Sequence, residues 1–377
     1  MSDSKVFIPL MIPDIQQQDI DAVVDVLKSG NLVQGEKVVE LEKLVANYLG
    51  VKHAIAVSNG TASLHIALIS LGVGKGDEVI VPAFSYVATA NVVELVGATP
   101  IFVDIDVDTF NIDVAQIESK ITNRTKAIMP VHEFGLACDI SEVCKIAKKH
   151  NIPIIEDAAC ALGATENKIF AGTFGEIGSF SFHPRKNITS GEGGILVTNS
   201  DELADKFRVL RNHGISMNSG KMEFIEAGFN YRMTDFQAAL VLSQLHRIEE
   251  IIKYKAYLAN IYHTELSNCD SIKLPKTPIN KRHTWQSFQV LFDRAVDRNA
   301  VLKNLFENGI GTNYGAQCIP EQVFYKNKYD FDCEKHFPSS LYAFEKGLVL
   351  PLYSKLNLKD VCFISEKLLN AISDTNE

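Results

Sequence analysis

The sequence has no apolar run approaching the ~20 residues that a membrane-spanning helix needs, which predicts a protein without membrane spans. Its opening, residues 1–15, has one early lysine and a short apolar stretch broken by Pro9 and Pro13, a poor match to a secretory signal. Cysteine is sparse. Cys138, Cys144, Cys160, Cys269, Cys318, Cys333 and Cys362 are odd in number and scattered, with no Cys-x-x-Cys pair. That spacing predicts no metal site and no disulfide framework, and reduced thiols in a cytoplasmic protein are the simplest expectation. Positive charge is not in excess either. The formal net charge of −9 argues against non-specific binding to nucleic acid or acidic membranes. It leaves room for a small basic pocket and an anionic substrate. Low-complexity tracts and internal repeats are also lacking.

What is present is a long alternation of strand and helix. A chain of 377 residues exceeds the length at which one core usually keeps growing, so two domains are expected. Short β-branched runs at 53–58, 78–83, 100–105, 127–131, 152–157, 179–183 and 194–199 read as strands, several of them apolar throughout. Strands of that kind are covered on both faces. Helical stretches separate them, one opening with Asp139 at its N-cap position. The expectation is an α/β large domain over 1–250 with a mainly parallel sheet, its first residues free to pack elsewhere. After one long helix over 236–266 the texture changes, and 251–377 reads as a smaller α+β domain.

Three segments could carry chemistry. Asp157 ends the run IPIIED, and open α/β sheets place ligands at the C-terminal ends of such strands. It could equally cap a helix, since Ala158, Ala159 and Ala161 follow. Lys186 lies on the turn HPRKN between a strand and a glycine-rich stretch, where Pro184 and the glycines argue against a mobile helix face. A solvated loop lysine, or an anion contact beside Arg185, would look the same. In SNGTASLHIAL a small polar turn opens a helix, so Gly60, Thr61 and Ala62 could offer N–H groups to a phosphate, or could simply be capped by Asn59 or Thr61. Neither GVGKGDE nor GEGG has the spacing of a nucleotide-binding loop. Together the pieces say more. A phosphate turn, an aromatic-bearing segment (FSYVAT), an acidic strand end and a lysine turn are the four things pyridoxal phosphate (PLP) requires.

At this point the chain resembles the DegT/DnrJ/StrS family of nucleotide-sugar aminotransferases. The resemblance runs through SNGTASLHIAL, GDEVIVPAFSYVATAN, PVHEFG, IIEDAACALGA, SFSFHPRKNITSGEGG and GFNYRMTDFQAAL, in matching order. It implies a fold-type I PLP-dependent transferase working as a homodimer with shared active sites. Residue by residue, it makes Lys186 the Schiff-base lysine and proton shuttle and Asp157 the partner of the pyridinium nitrogen. It gives Thr61, Ala62 and Ser181 the cofactor phosphate, joined by Asn230 from the other subunit, and stacks Tyr86 on the ring. Core packing for Tyr86 and a simple turn for Asn230 are the bland alternatives. Cys160 stands where many relatives have Gln, His or Glu. The segment 309–325 lacks the family's usual histidine pattern, so Tyr314 and Gln317 are the expected sugar contacts.

The reaction implied is two-step. An amino acid, expected to be L-glutamate, leaves its amine on the cofactor as pyridoxamine phosphate (PMP), and a keto-sugar, expected to be nucleotide-linked, takes it up in amino-sugar biosynthesis for surface polysaccharide or a related glycoconjugate. Lys186 must be neutral to act as base, and Arg185 is expected to lower its pKa. A PLP/PMP-dependent sugar dehydratase is the competing enzyme, although such enzymes commonly replace the lysine with histidine. A non-catalytic PLP- or sugar-binding regulator is the competing non-enzyme, and the lack of a basic tract counts against it.

Overall fold

The computed structural model describes residues 7–218 and 220–375. Seven strands form the central sheet: β1 (His53–Val57), β2 (Glu78–Pro82), β3 (Thr99–Val103), β4 (Thr125–Ile128), β5 (Ile155–Asp157), β6 (Ile177–Ser181) and β7 (Gly194–Thr198). Their order is β1-β7-β6-β5-β4-β2-β3, with β4 and β5 joined by the parallel bridges Ile128–Ile154 and Val131–Asp157. Of the seven, β7 runs antiparallel to its neighbours and the rest are parallel. The mainly parallel sheet is therefore present, each strand lying within a residue or three of its expected place.

Burial explains the apolar strands. Along β1, Ile55 and Val57 face one core while Ala54 and Ala56 face another, the two-residue alternation of a sheet covered on both sides. Helices α1 (Gln17–Ser29), α2 (Glu36–Leu49), α3 (Gly60–Ser70), α4 (Ala88–Leu95), α5 (Ile140–His150), α6 (Asp201–Arg211), α7 (Asp235–Leu245) and α8 (Ile248–Leu266) surround it. Residues of α3, α4 and α6 line the first core, and those of α2, α7 and the start of α8 the second.

Two local expectations need correction. The single helix over 236–266 is two helices, broken at His246 and Arg247. No glycine or proline marks the break; Arg247 turns aside to pair with Asp14 at 3.2 Å and with the buried Asp19 at 2.6 Å. Asp139 occupies the N-cap position of α5, but its side chain makes no cap and instead pairs with Lys281 at 2.5 Å.

A second body has a three-stranded antiparallel sheet of Ile272–Lys273, Phe288–Phe292 and Gly347–Leu350. Its core takes Leu258, Ala259, Tyr262 and Leu266 from the far half of α8, with Ile8, Met11 and Ile12 packed against it. One helix thus serves both cores. The segment around 316–344 doubles back, burying Cys318, Ile319, Tyr325 and Phe337 in the first core. That return pairs Gln317 with Ser85 in a short ladder.

Candidate active site

Parallel strands end on one edge of the sheet, and the loops leaving that edge meet there. Asp157 closes β5 and is 4% exposed. Its backbone is tied to the β4 loop on both sides, N–H to Pro130 and C=O to His132. No helix follows it, so the N-cap alternative is removed. One carboxylate oxygen accepts from Thr89 Oγ1 at 2.8 Å and the other from the Ala159 N–H at 3.2 Å. Burial pushes its pKa up, partly offset by those two hydrogen bonds and by Lys186.

Lys186 leaves β6 on a turn closed by its own N–H to His183 O at 2.8 Å. The turn is pinned from the second body: Gln286 donates to Arg185 O at 2.8 Å, and Asn187 donates to Thr284 O at 2.9 Å. Lys255, 1% exposed, donates to Asn187 Oδ1 at 2.7 Å and to Gln286 O at 3.2 Å. Burial lowers the Lys255 pKa to about 7. The Lys186 amine lies 2.9 Å from Cys160 Sγ. Burial alone would depress its pKa, but Cys160, Asp157 and Glu133 outweigh that and raise it. Arg185 lines a small cavity with Leu10, Met11 and Val349. The expected lowering is therefore replaced by a raising, led by Cys160 and joined by Asp157 and Glu133.

Where β1 enters α3, Asn59 caps the helix by accepting the Ala62 N–H at 2.8 Å. Ala62 is thus already engaged, whereas Gly60 and Thr61, in the first turn, have no helical acceptor to use. A Cβ on Gly60 would stand 2.9 Å from Ser181 Cβ, so only glycine lets this helix end sit against the last residue of β6. Gly60 and Ser181 are brought together.

The remaining expected residues are more dispersed. Tyr86 is 67% exposed, which excludes core packing within the chain. Asn230 is exposed and bridges Asn212, while its neighbour Tyr231 accepts the Ser58 N–H beside the α3 turn. Tyr314 lies under the Arg298 guanidinium at 4.2 Å. Gln317 reaches the Ser85 side through the ladder, and its Oε1 is buried without a partner among the described residues.

Sequence reasoning passed over four residues. His132 is fully buried, accepts the Cys138 N–H at 3.1 Å on Nδ1 and faces Glu156 at 2.8 Å through Nε2. An acceptor at Nδ1 puts the proton on Nε2, where it is given to Glu156. Glu133, 5% exposed, faces Lys186 and Asp157, and burial pushes its pKa up to about 7. Ser85 and Thr89, also buried, lie between the two carboxyls. The signal available was PVHEFG, a charged residue in an apolar strand-end context.

These donors suit PLP: a carboxylate for a ring nitrogen, an inward amine, and two helix-end N–H groups beside a hydroxyl for a phosphate. Fold and site together define a fold-type I PLP-dependent transferase. The DegT/DnrJ/EryC1/StrS aminotransferase family model matches residues 13–369, and the chain belongs to that family. It is a PLP-dependent sugar aminotransferase. A GDP-perosamine synthase of Caulobacter vibrioides is 45% identical over 279 residues, 73% of this chain and 75% of that protein. A candidate sugar aminotransferase of Streptococcus pneumoniae in its PMP form superposes with TM-score 0.94 at 31% identity, covering 98% of both chains. PseC of Helicobacter pylori, an aminotransferase of pseudoaminic acid biosynthesis, gives TM-score 0.92 at 28% identity over 98% of this chain and 100% of its own.

Proposed function

We propose that this chain moves an amino group from L-glutamate to a keto-sugar carried on a nucleotide, for a surface glycoconjugate, in the cytoplasm. The observation that carries the reading is the convergence of Lys186 and Asp157 at the strand edge, beside the amine-facing Cys160 and Glu133. The GDP-perosamine synthase among its relatives supports the nucleotide-linked sugar.

PLP, when bound, supplies the electron-withdrawing ring that makes an amine's α-proton acidic. Lys186 would hold the cofactor, and its amine would be the group that takes and returns that proton. Asp157 would pair with the ring nitrogen, and a positive partner there would offset the effect of burial by favouring the carboxylate. Gly60 and Thr61 donate N–H groups and Ser181 its hydroxyl to the phosphate, with Ala62 shaping the turn through Asn59. Tyr86, exposed in the single chain, would cover the ring. Asn230 reaches the phosphate of the partner subunit in a homodimer. Gln317 and Tyr314 meet the sugar.

Glutamate added to the PLP-loaded protein should release 2-oxoglutarate, and a keto-sugar should then gain the amine; Lys186→Ala should do neither. Failure to form 2-oxoglutarate would remove the donor assignment. Loss of a sugar hydroxyl without net amine gain would make the enzyme a dehydratase.

A further inference from the structure

Helix α8 carries a lysine where its buried stripe calls for an apolar residue. Ile251 and Ile252 face the core of the large body, and Leu258, Ala259 and Tyr262, on the same face of the helix, enter the core of the second. Lys255 sits between the two groups, 1% exposed, where the helix passes from one core to the other. An apolar side chain would fill that place without the cost of burying an amine, so the use of Lys255 lies in what its amine touches.

Those contacts define both its direction and its protonation. Nζ lies 2.7 Å from Asn187 Oδ1 and 3.2 Å from Gln286 O. Gln286 O can only accept. Asn187 Nδ2 donates to Thr284 O at 2.9 Å, and this fixes the amide with Oδ1 toward the lysine. Nζ therefore donates twice, to two uncharged oxygens. A neutral amine has two N–H groups for them; an ammonium would add a third, with a charge that neither oxygen balances. The titratable groups beside it, Cys160 and His283, are held uncharged by burial, which pushes the thiol up and the imidazole down to about 3.

Both acceptors belong to a brace across the strand edge, in which residues 284–286 tie together the loops after β4, β5 and β6. Thr284 N–H donates to Gly135 O at 2.9 Å and Gln286 N–H to Phe134 O at 3.0 Å, holding the loop after β4. Thr284 Oγ1 lies 3.4 Å from Cys160 O in the loop after β5. Gln286 Nε2 donates to Arg185 O at 2.8 Å, and Asn187 is held by Thr284, so the residues on both sides of Lys186 are gripped. We propose that Lys255 is a positioning residue for Lys186: from α8 it joins the grips of Asn187 and Gln286 into one and so fixes the turn that carries the Lys186 amine. This rests on the reading of Lys186 as the cofactor-bearing amine. Through Lys255 the turn is tied to the helix that both bodies share, so a shift of the second body is felt at Lys186.

Lys255→Met keeps a long buried side chain and removes both donors. In the cofactor-free protein, hydrogen exchange read by mass spectrometry should speed up by about tenfold in peptides spanning 183–190, while peptides of β1 and β7 exchange as in wild type. In the PLP-loaded protein, kcat for amine transfer from glutamate should fall by about ten- to a hundredfold, the cost of a slightly misplaced reacting group, with KM changed by less than about threefold. Asn187→Ala leaves Lys255 in place and takes away one acceptor. It should move both readouts the same way, and it decides the matter if Lys255→Met does not fold. Exchange at 183–190 that is unchanged in both variants, or quickened equally in every peptide, overturns the brace. Faster local exchange with undiminished kcat overturns the positioning role. Faster local exchange in a protein whose wild type forms no absorption band with PLP supports the brace and overturns instead the reading of Lys186 on which its role rests.

Discussion

Lys186 Nζ lies 2.9 Å from Cys160 Sγ. The proposed cofactor-bearing amine is thus paired, in the free chain, with a thiol whose pKa burial pushes up. A neutral thiol offers Lys186 a weak polar contact, and Asp157 and Glu133 join it in holding the ammonium. Replacing the thiol should matter little. Cys160→Ala is expected to lower kcat/KM for glutamate by less than about tenfold, or about 1.4 kcal/mol. A loss of several hundredfold in steady-state assays would instead place Cys160 against the reacting atoms.

Asp157→Ala removes the only carboxylate that closes β5 at the sheet edge. The variant should still take up PLP, visible as its absorption band after gel filtration, because the lysine and phosphate contacts remain. Its kcat should fall by about 10²–10³, the usual cost of removing a group aimed at developing charge. Near-normal turnover would end the role assigned to it.

Lys255 sets a pH dependence of stability. Its folded pKa is lowered to about 7 by burial, against about 10.4 in an unfolded chain. Below the folded value both states carry the proton and the burial penalty is present in full. Between the two values the unfolded chain binds a proton that the folded chain does not, so stability rises with pH. From pH 7 to 9 this one group should add about 2 kcal/mol. Urea unfolding should show that increment in wild type and lose it in Lys255→Met; equal increments in the two proteins would contradict a neutral buried amine.

Asn230 is exposed in the single chain, which fits a residue meant for another subunit. Lys186→Ala and Asn230→Ala should each be impaired alone. Mixed after subunit exchange, they should recover up to about a quarter of wild-type activity, since random pairing makes half the dimers mixed and each mixed dimer holds one intact site. Exchange demonstrated by native mass spectrometry without any recovery would place Asn230 in its own subunit's site.

How far the sequence reached depended on how local the signal was. The strands around Asp157 and Lys186 were readable because a run such as EVIVP, buried at every position of β2, has no other stable use in a chain of this kind. Helix α3 announced itself through Asn59 and the glycine after it. The break between α7 and α8 had no such mark, because Arg247 is turned by Asp14 and Asp19, more than two hundred residues earlier. The return of residues around 316–344 to the first core was equally invisible, being decided by where Tyr325 and Phe337 find apolar partners.

The sequence by itself determined the alternation of elements, the lysine turn and the acidic strand end, since each depends on neighbours within a few residues. Only the tertiary structure decided what surrounds Lys186. Glu133 arrives from the loop after β4, Cys160 from the loop after β5, and Ser85 and Thr89 from the segment after β2. They are separated in sequence and adjacent in space because parallel strands deliver their C-terminal ends to one edge. Burial there, which no residue specifies alone, is what turns Glu133 from an ordinary carboxylate into one with a pKa near 7.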